Sequence, residues 1–87
     1  MQFEYRTKGT CASKIMLEIE NNKLVKVAYT GGCNGNLQGI SRLVEGMDID
    51  TVIEKVRGIR CGFKPTSCPD QLAQALELAK QKLAEEA

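Results

Sequence analysis

Histidine and tryptophan are both missing from these 87 residues, and aromatic side chains make up only 5% of them. Without histidine the chain lacks the commonest general base and the commonest nitrogen ligand. A Ser-His or Cys-His catalytic pair within one chain is therefore excluded. A transition-metal site would have to rest on thiolates, with carboxylates or water as extras. Phe3, Tyr5 and Tyr29 are too few and too scattered for a base-stacking platform and suit a sheet face or core. No stretch approaches the ~18 apolar residues of a membrane span. Met1-Gln2-Phe3-Glu4-Tyr5 has neither the basic region nor the apolar run of a signal peptide. The expected location is the cytoplasm, where thiols stay reduced. Charge of one sign is also lacking. Twelve basic against eleven acidic residues leave +1, which gives bulk electrostatics no hold on nucleic acid or membrane.

What is present fits one domain, residues 1–87. A chain of this size buries only about 60–65% of the surface its unfolded form exposes, so its stability margin is thin. Homo-oligomerisation or a bound metal would be a natural supplement. The first third follows the strand period. Phe3, Tyr5 and Thr7 share one face, then Ile15, Leu17 and Ile19 alternate with Met16, Glu18 and Glu20. Asn21-Asn22-Lys23 suits a tight hairpin turn, since Asn tolerates positive φ. Val25, Val27 and Tyr29 share a face of the next strand.

From Gly31 the period becomes helical. Leu37, Ile40, Leu43, Val44 and Met47 predict a first helix, with Gly46 as its stop. Asp48 is placed to cap a second helix carrying Ile49, Val52, Ile53 and Val56, ended near Gly58. Pro69 and Asp70 suit the first turn of a third, whose stripe is Leu72, Leu76, Ala79 and Leu83. The predicted fold class is α+β: a three-stranded antiparallel meander followed by three helices packed on one sheet face.

The four cysteines all fall in connections. Cys11 lies between the first two strands, Cys33 at the passage from strand to helix, Cys61 after the second helix, and Cys68 at the start of the third. Free cysteine is among the most buried residue types, so chance would place some on core faces. Cys33 and Cys68 stand at helix amino ends, where unpaired N–H groups and the dipole favour an anion. The thiolate is both nucleophile and metal ligand. Lys55, Arg57, Arg60 and Lys64 flank Cys61 and favour the same form if they fold back on it. Against this, no pair of cysteines has the short C-x-x-C spacing of a zinc knuckle. Structural thiols, a thiolate metal or cluster site, and a redox or nucleophilic thiol all stay open.

Gly31-Gly32-Cys33-Asn34-Gly35-Asn36 precedes a helix and could cradle an anion through its backbone amides. Gly31, Gly32 and Asn34, with Arg60, are thus candidate cofactor- or nucleotide-contacting residues. The string has neither a P-loop Lys-Ser/Thr nor the full Rossmann glycine pattern. A tight turn needing positive φ explains it as well. The basic run from Lys55 to Lys64 reads as a solvated face or a binding patch.

Thr66-Ser67-Cys68-Pro69-Asp70 spells the signature of the TSCPD domain. Gly31-Gly32-Cys33-Asn34-Gly35-Asn36, Gly46 and Gly58-Ile59-Arg60-Cys61-Gly62 stand in the expected order, and the resemblance covers essentially the whole chain. The chain resembles a free-standing, single-domain member. In that family the domain also occurs at the C-terminal end of cobalamin-dependent ribonucleotide reductases. The resemblance implies a connection to deoxyribonucleotide synthesis, as an accessory, a thiol carrier or a regulatory nucleotide-binding piece. It does not imply the reductase itself, because 87 residues cannot hold the barrel, radical cysteine and cobalamin site. In layout alone the chain is similar to U-type iron–sulfur cluster scaffolds, whose cysteines in comparable turns hold a cluster or zinc. Their Asp-containing loop and the histidine near the last cysteine are missing here.

The expected function is therefore an accessory domain associated with ribonucleoside-diphosphate reductase. Cys33, Cys61 and Cys68 are its functional cluster, with Cys11 the fourth ligand if zinc or an iron–sulfur cluster binds. The alternatives are a scaffold-like metal or cluster binder, a thiol redox protein, and a non-catalytic interaction module. Expected partners are the reductase or another protein, a nucleotide, or a second copy of the chain; no membrane and no nucleic acid are expected.

Overall fold

The structure of the protein, a computed structural model, describes residues 1–7, 12–32, 34–60 and 62–86. Three strands, β1 (Gln2–Arg6), β2 (Ala12–Glu20) and β3 (Lys23–Gly31), form an antiparallel sheet in the order β1-β2-β3. Asn21 and Asn22 join β2 to β3 with φ of 53° and 63°. Two consecutive positive φ values match the right-handed twist of the flanking strands, which is why Asn-rich two-residue turns favour hairpins. The hairpin is the one the sequence predicts.

One face of the sheet is apolar. Phe3 pairs with Leu17, Tyr5 with Ile15, Ile15 with Tyr29, and Leu17 with Val27, so these side chains share that face. The alternation expected of β3 breaks near the hairpin. Glu18 pairs with Lys26, but Ile19 pairs with Leu24, which leaves Val25 as an extra residue. The bulge turns Leu24 into the core, where it is 0% exposed, and leaves Val25 43% exposed. Strict period-two counting cannot foresee this, because one inserted residue reverses the facing of everything beyond it.

Three helices cover the apolar face: α1 (Asn34–Val44), α2 (Ile49–Val56) and α3 (Cys68–Glu86). Leu37 and Val44 of α1 are buried, with Ile40 packed against the core, whereas Leu43 is 78% exposed rather than part of the predicted stripe. The chain between α1 and α2 runs beside β3. Gly46, at φ 89°, donates its N–H to the Leu24 carbonyl at 2.6 Å, and Leu24 donates back to Met47 at 2.8 Å. Asp48 occupies the N-cap of α2, yet its side chain makes no cap hydrogen bond. The Asn22 carbonyl at the hairpin tip instead accepts the Ile49 N–H at 3.0 Å. Tertiary contact has replaced the local cap.

α3 buries more than one stripe. Leu72, Ala73, Ala75, Leu76 and Ala79 are at most 1% exposed, because α3 packs on both β2 and α2. Alanine at three of these positions lets the backbones approach closely. Burying side chains such as Leu72 and Leu76 stabilises the fold by about 1.5–3 kcal/mol each. The ion pairs Arg57–Glu77 and Lys80–Asp50 link α2 to α3 on the outside. Exposed pairs of this kind contribute roughly 0–1 kcal/mol, so apolar packing holds the two helices together.

Candidate functional site

α3 begins on a polar network that is buried and closely bonded. Ser67 caps the helix, its Oγ accepting the Asp70 N–H at 3.1 Å, while its carbonyl accepts the Gln71 N–H at 2.8 Å. The Ser67 hydroxyl donates to the Ile59 carbonyl at 2.5 Å. Thr66 donates its hydroxyl to Asp70 Oδ2 at 2.5 Å and accepts from Gln71 Nε2 at 2.9 Å. Asp70 Oδ1 accepts the Gly58 N–H at 2.7 Å, and its Oδ2 also accepts from Gln74 at 3.0 Å. Thr66, Ser67, Asp70 and Gln71 are each no more than 8% exposed. Every polar atom removed from water here has a partner, which is the condition for such a network to stabilise rather than strain.

The network acts as a clasp. Gly58 and Ile59 lie just beyond α2, and two hydrogen bonds pull that backbone onto the first turn of α3. Gly58 meets the clasp at φ 82°, a conformation that favours glycine. Burial alone would raise the Asp70 carboxyl. The bonds from Thr66, the Gly58 N–H and Gln74, together with the nearby Arg57 charge, outweigh burial and hold it below the ordinary carboxylate value.

Cys68 and Pro69 stand on the other side of the same turn. Both line an open groove of about 550 Å³ with Gly35, Asn36, Gly39, Leu43, Ile59 and Arg60. Cys68 is a free thiol of intermediate exposure. Among the described residues the groove is apolar apart from the thiol, Asn36, Ser67 and the Arg60 head, and no carboxylate lines it. Tyr29 lies close enough to Cys68 for their charges to interact. Burial first, and the Cys68 charge second, push the Tyr29 hydroxyl well above its ordinary value. That hydroxyl is buried without a hydrogen-bond partner among the described residues.

The family model of the TSCPD domain matches residues 3–80. The chain belongs to the TSCPD domain family. No curated protein and no solved structure matches it. No helix among the described residues is long and apolar enough to cross a membrane.

In this TSCPD domain the signature divides by chemistry. Thr66, Ser67 and Asp70 form the clasp, while Cys68 and Pro69, in the first turn, line the groove without entering that network of hydrogen bonds. Sequence reading missed the clasp. Ser67-Cys68-Pro69-Asp70 has the Ser-x-x-acid form of a capping box. That pattern was the available signal. The partner of the acidic side chain, the Gly58 N–H, is twelve residues upstream and could not be read from local spacing.

Of the predicted thiolate ligands, Cys11, Cys33 and Cys61 lie outside the described residues. Among the described residues no group of three His, Cys, Asp or Glu side chains is placed to hold a metal. The described neighbours of these cysteines are close in the fold. Ala12, next to Cys11, pairs with Gly31, two residues before Cys33. Gly35 and Asn36, just after Cys33, share the groove with Arg60, next to Cys61, and with Cys68. The predicted anion-contacting residues divide. Gly31 lines a separate pocket of about 310 Å³ with Gln38, Ser41 and Arg42, whereas Arg60 lines the Cys68 groove. Gly31 and Gly32 take φ of 78° and 80°, as the turn reading of that string requires, and Asn34 opens α1.

Proposed function

We propose that this TSCPD domain is a thiolate metal-binding accessory to ribonucleoside-diphosphate reductase, with Cys11, Cys33, Cys61 and Cys68 as its ligands. One observation carries the reading: the described neighbours of all four cysteines are linked through one strand pairing and one groove, although they come from four separate connections. The donor set suits zinc or an iron–sulfur cluster, since four thiols and no histidine are available. Zinc bound there would add folding energy that a core of this size needs, and a cluster would add one-electron chemistry.

The chain's own residues do the positioning. Cys68 sits at the amino end of α3, where the dipole favours a negatively charged ligand. The clasp from Asp70 to Gly58 and from Ser67 to Ile59 fixes the approach of the chain to Cys61 relative to Cys68. Arg60 adds positive charge at the groove, which offsets the repulsion among thiolates.

Elemental analysis of protein purified without chelator tests the proposal, alongside each Cys→Ser variant. Stoichiometric zinc or iron that is lost in Cys33→Ser and Cys68→Ser supports it. Metal-free protein of unchanged stability overturns it. The reductase link is tested separately, by calorimetric titration against a cobalamin-dependent reductase lacking its own such domain. No heat and no change in turnover would remove that part alone.

A further inference from the structure

The Tyr29 hydroxyl is buried and has no hydrogen-bond partner among the described residues. A hydroxyl taken out of water without an acceptor is a cost that native structures seldom carry. Its place in the fold shows which acceptor is near. Tyr5 pairs with Ile15 and Ile15 with Tyr29, a row that crosses the apolar face from β1 to β3. At one end of the row Tyr5 donates its hydroxyl to Gln74 Oε1 of α3 at 3.4 Å. Two strand spacings put Tyr29 about 10 Å from Tyr5. Cys68, the first residue of α3, stands about 9 Å along the helix from Gln74, at about 1.5 Å for each residue. The two lengths match, so a helix lying across the row has its first turn over Tyr29. Leu37 agrees with that course, since it lines both the pocket beside Tyr29 and the groove of Cys68.

We infer that the Tyr29 hydroxyl is the hydrogen-bond donor that holds the Cys68 thiolate, and that Tyr29 is thus a positioning residue of the thiolate site. The inference rests on the reading of Cys68 as a thiolate and adds the group behind it. Competing acceptors are few. No carboxylate lines the groove among the described residues, and Asp70 is already bonded to Thr66, Gly58 and Gln74. A neutral thiol accepts weakly and a thiolate strongly, which accounts for a hydroxyl left unpaired near a free thiol. Charge favours the same order of events. Burial and the Cys68 charge push the Tyr29 hydroxyl well above its ordinary value, so it keeps its proton where thiols ionise. One hydrogen bond leaves the other lone pairs of the sulfur free, so the bond and metal ligation are compatible. With Cys68 as a neutral thiol the bond is absent, and the stability of metal-free protein at neutral pH does not report it.

The Raman doublet of tyrosine tests it on metal-free protein, because the doublet separates a hydroxyl that donates a hydrogen bond from one that makes none. The chain has two tyrosines, so Tyr5→Phe leaves Tyr29 as the single source of the signal. That variant is compared with Tyr5→Phe carrying Cys68→Ala, at neutral pH and at about pH 9.5, a unit above the ordinary thiol value. Alanine is a good helix former in the first turn, and circular dichroism checks that both proteins are folded. The expected result is a donor signature that appears at the higher pH in Tyr5→Phe and is lost with Cys68→Ala. A doublet that does not change with pH in Tyr5→Phe overturns the inference, whether or not the double variant folds. A donor signature that survives Cys68→Ala overturns it too, since another acceptor then holds the hydroxyl. Metal plays no part in this measurement. Failure of metal binding would leave the bond standing, and failure of the bond would leave the elemental analysis unaffected.

Discussion

The carboxylate of Asp70 accepts the backbone N–H of Gly58 at 2.7 Å, and so fastens the end of α2 to the first turn of α3. Removing it leaves the buried Thr66 hydroxyl and the part-buried Gly58 N–H without their partner. Asp70→Ala is expected to destabilise the fold by about 2–3 kcal/mol, measured by urea denaturation. A loss below about 0.5 kcal/mol would show that water replaces the carboxylate and that no clasp exists.

Acid should weaken the same contact. The Asp70 carboxyl is held below its unfolded value of about 3.9. Its contribution is therefore fully present above that value and is lost as pH falls through the lower folded value. Asp70→Asn should flatten the stability profile below about pH 4. At the alkaline end Tyr29 behaves oppositely. Its hydroxyl is raised by burial and by Cys68, so its contribution holds below about pH 10 and is lost as pH rises beyond. Matched slopes for wild type and Asp70→Asn in acid would contradict the assignment.

Gly58 takes φ 82°, and a Cβ there would meet nothing within 4 Å. The effect of Gly58→Ala is then purely conformational, about 1–2 kcal/mol of lost stability. An unchanged denaturation midpoint would mean that the loop relaxes and that the glycine is not required.

Tyr29 tests the interior differently. Its hydroxyl is buried with no hydrogen-bond partner among the described residues. Tyr29→Phe should therefore leave stability at neutral pH within about 0.5 kcal/mol of wild type, or raise it, because no bond is lost and a desolvated hydroxyl is removed. A loss above about 1 kcal/mol would reveal a partner for that hydroxyl. Chemical denaturation at neutral pH decides.

Leu76 is 0% exposed at the centre of the α3 face. Leu76→Ala should cost about 2–5 kcal/mol through lost burial and the cavity left behind. For so small a domain, that is a large share of the total, and thermal melts should show a partly unfolded protein near room temperature.

Much of the fold was legible because its signals are local. The alternation of Ile15, Leu17 and Ile19, the Asn21-Asn22 turn and the helical spacing of Leu72, Leu76 and Ala79 each depend on residues near one another in sequence. Val25 and Leu43 depart from their expected faces, and Asp48 holds the N-cap of α2 without its side chain making the cap bond, for a common reason. A bulge, an open groove and a hairpin carbonyl decide their surroundings, and each arises from distant chain.

The sequence by itself determined the order of strands and helices, the family signature, and a donor set of thiols without histidine, because composition and periodicity need no partner to be read. The tertiary structure decided which signature residues join the buried network and which line the groove. Asp70 reaches Gly58 and Ser67 reaches Ile59 only after α2 and α3 have packed. Hydrogen bonds between residues eight and twelve apart follow from packing of whole helices, and no local pattern encodes them.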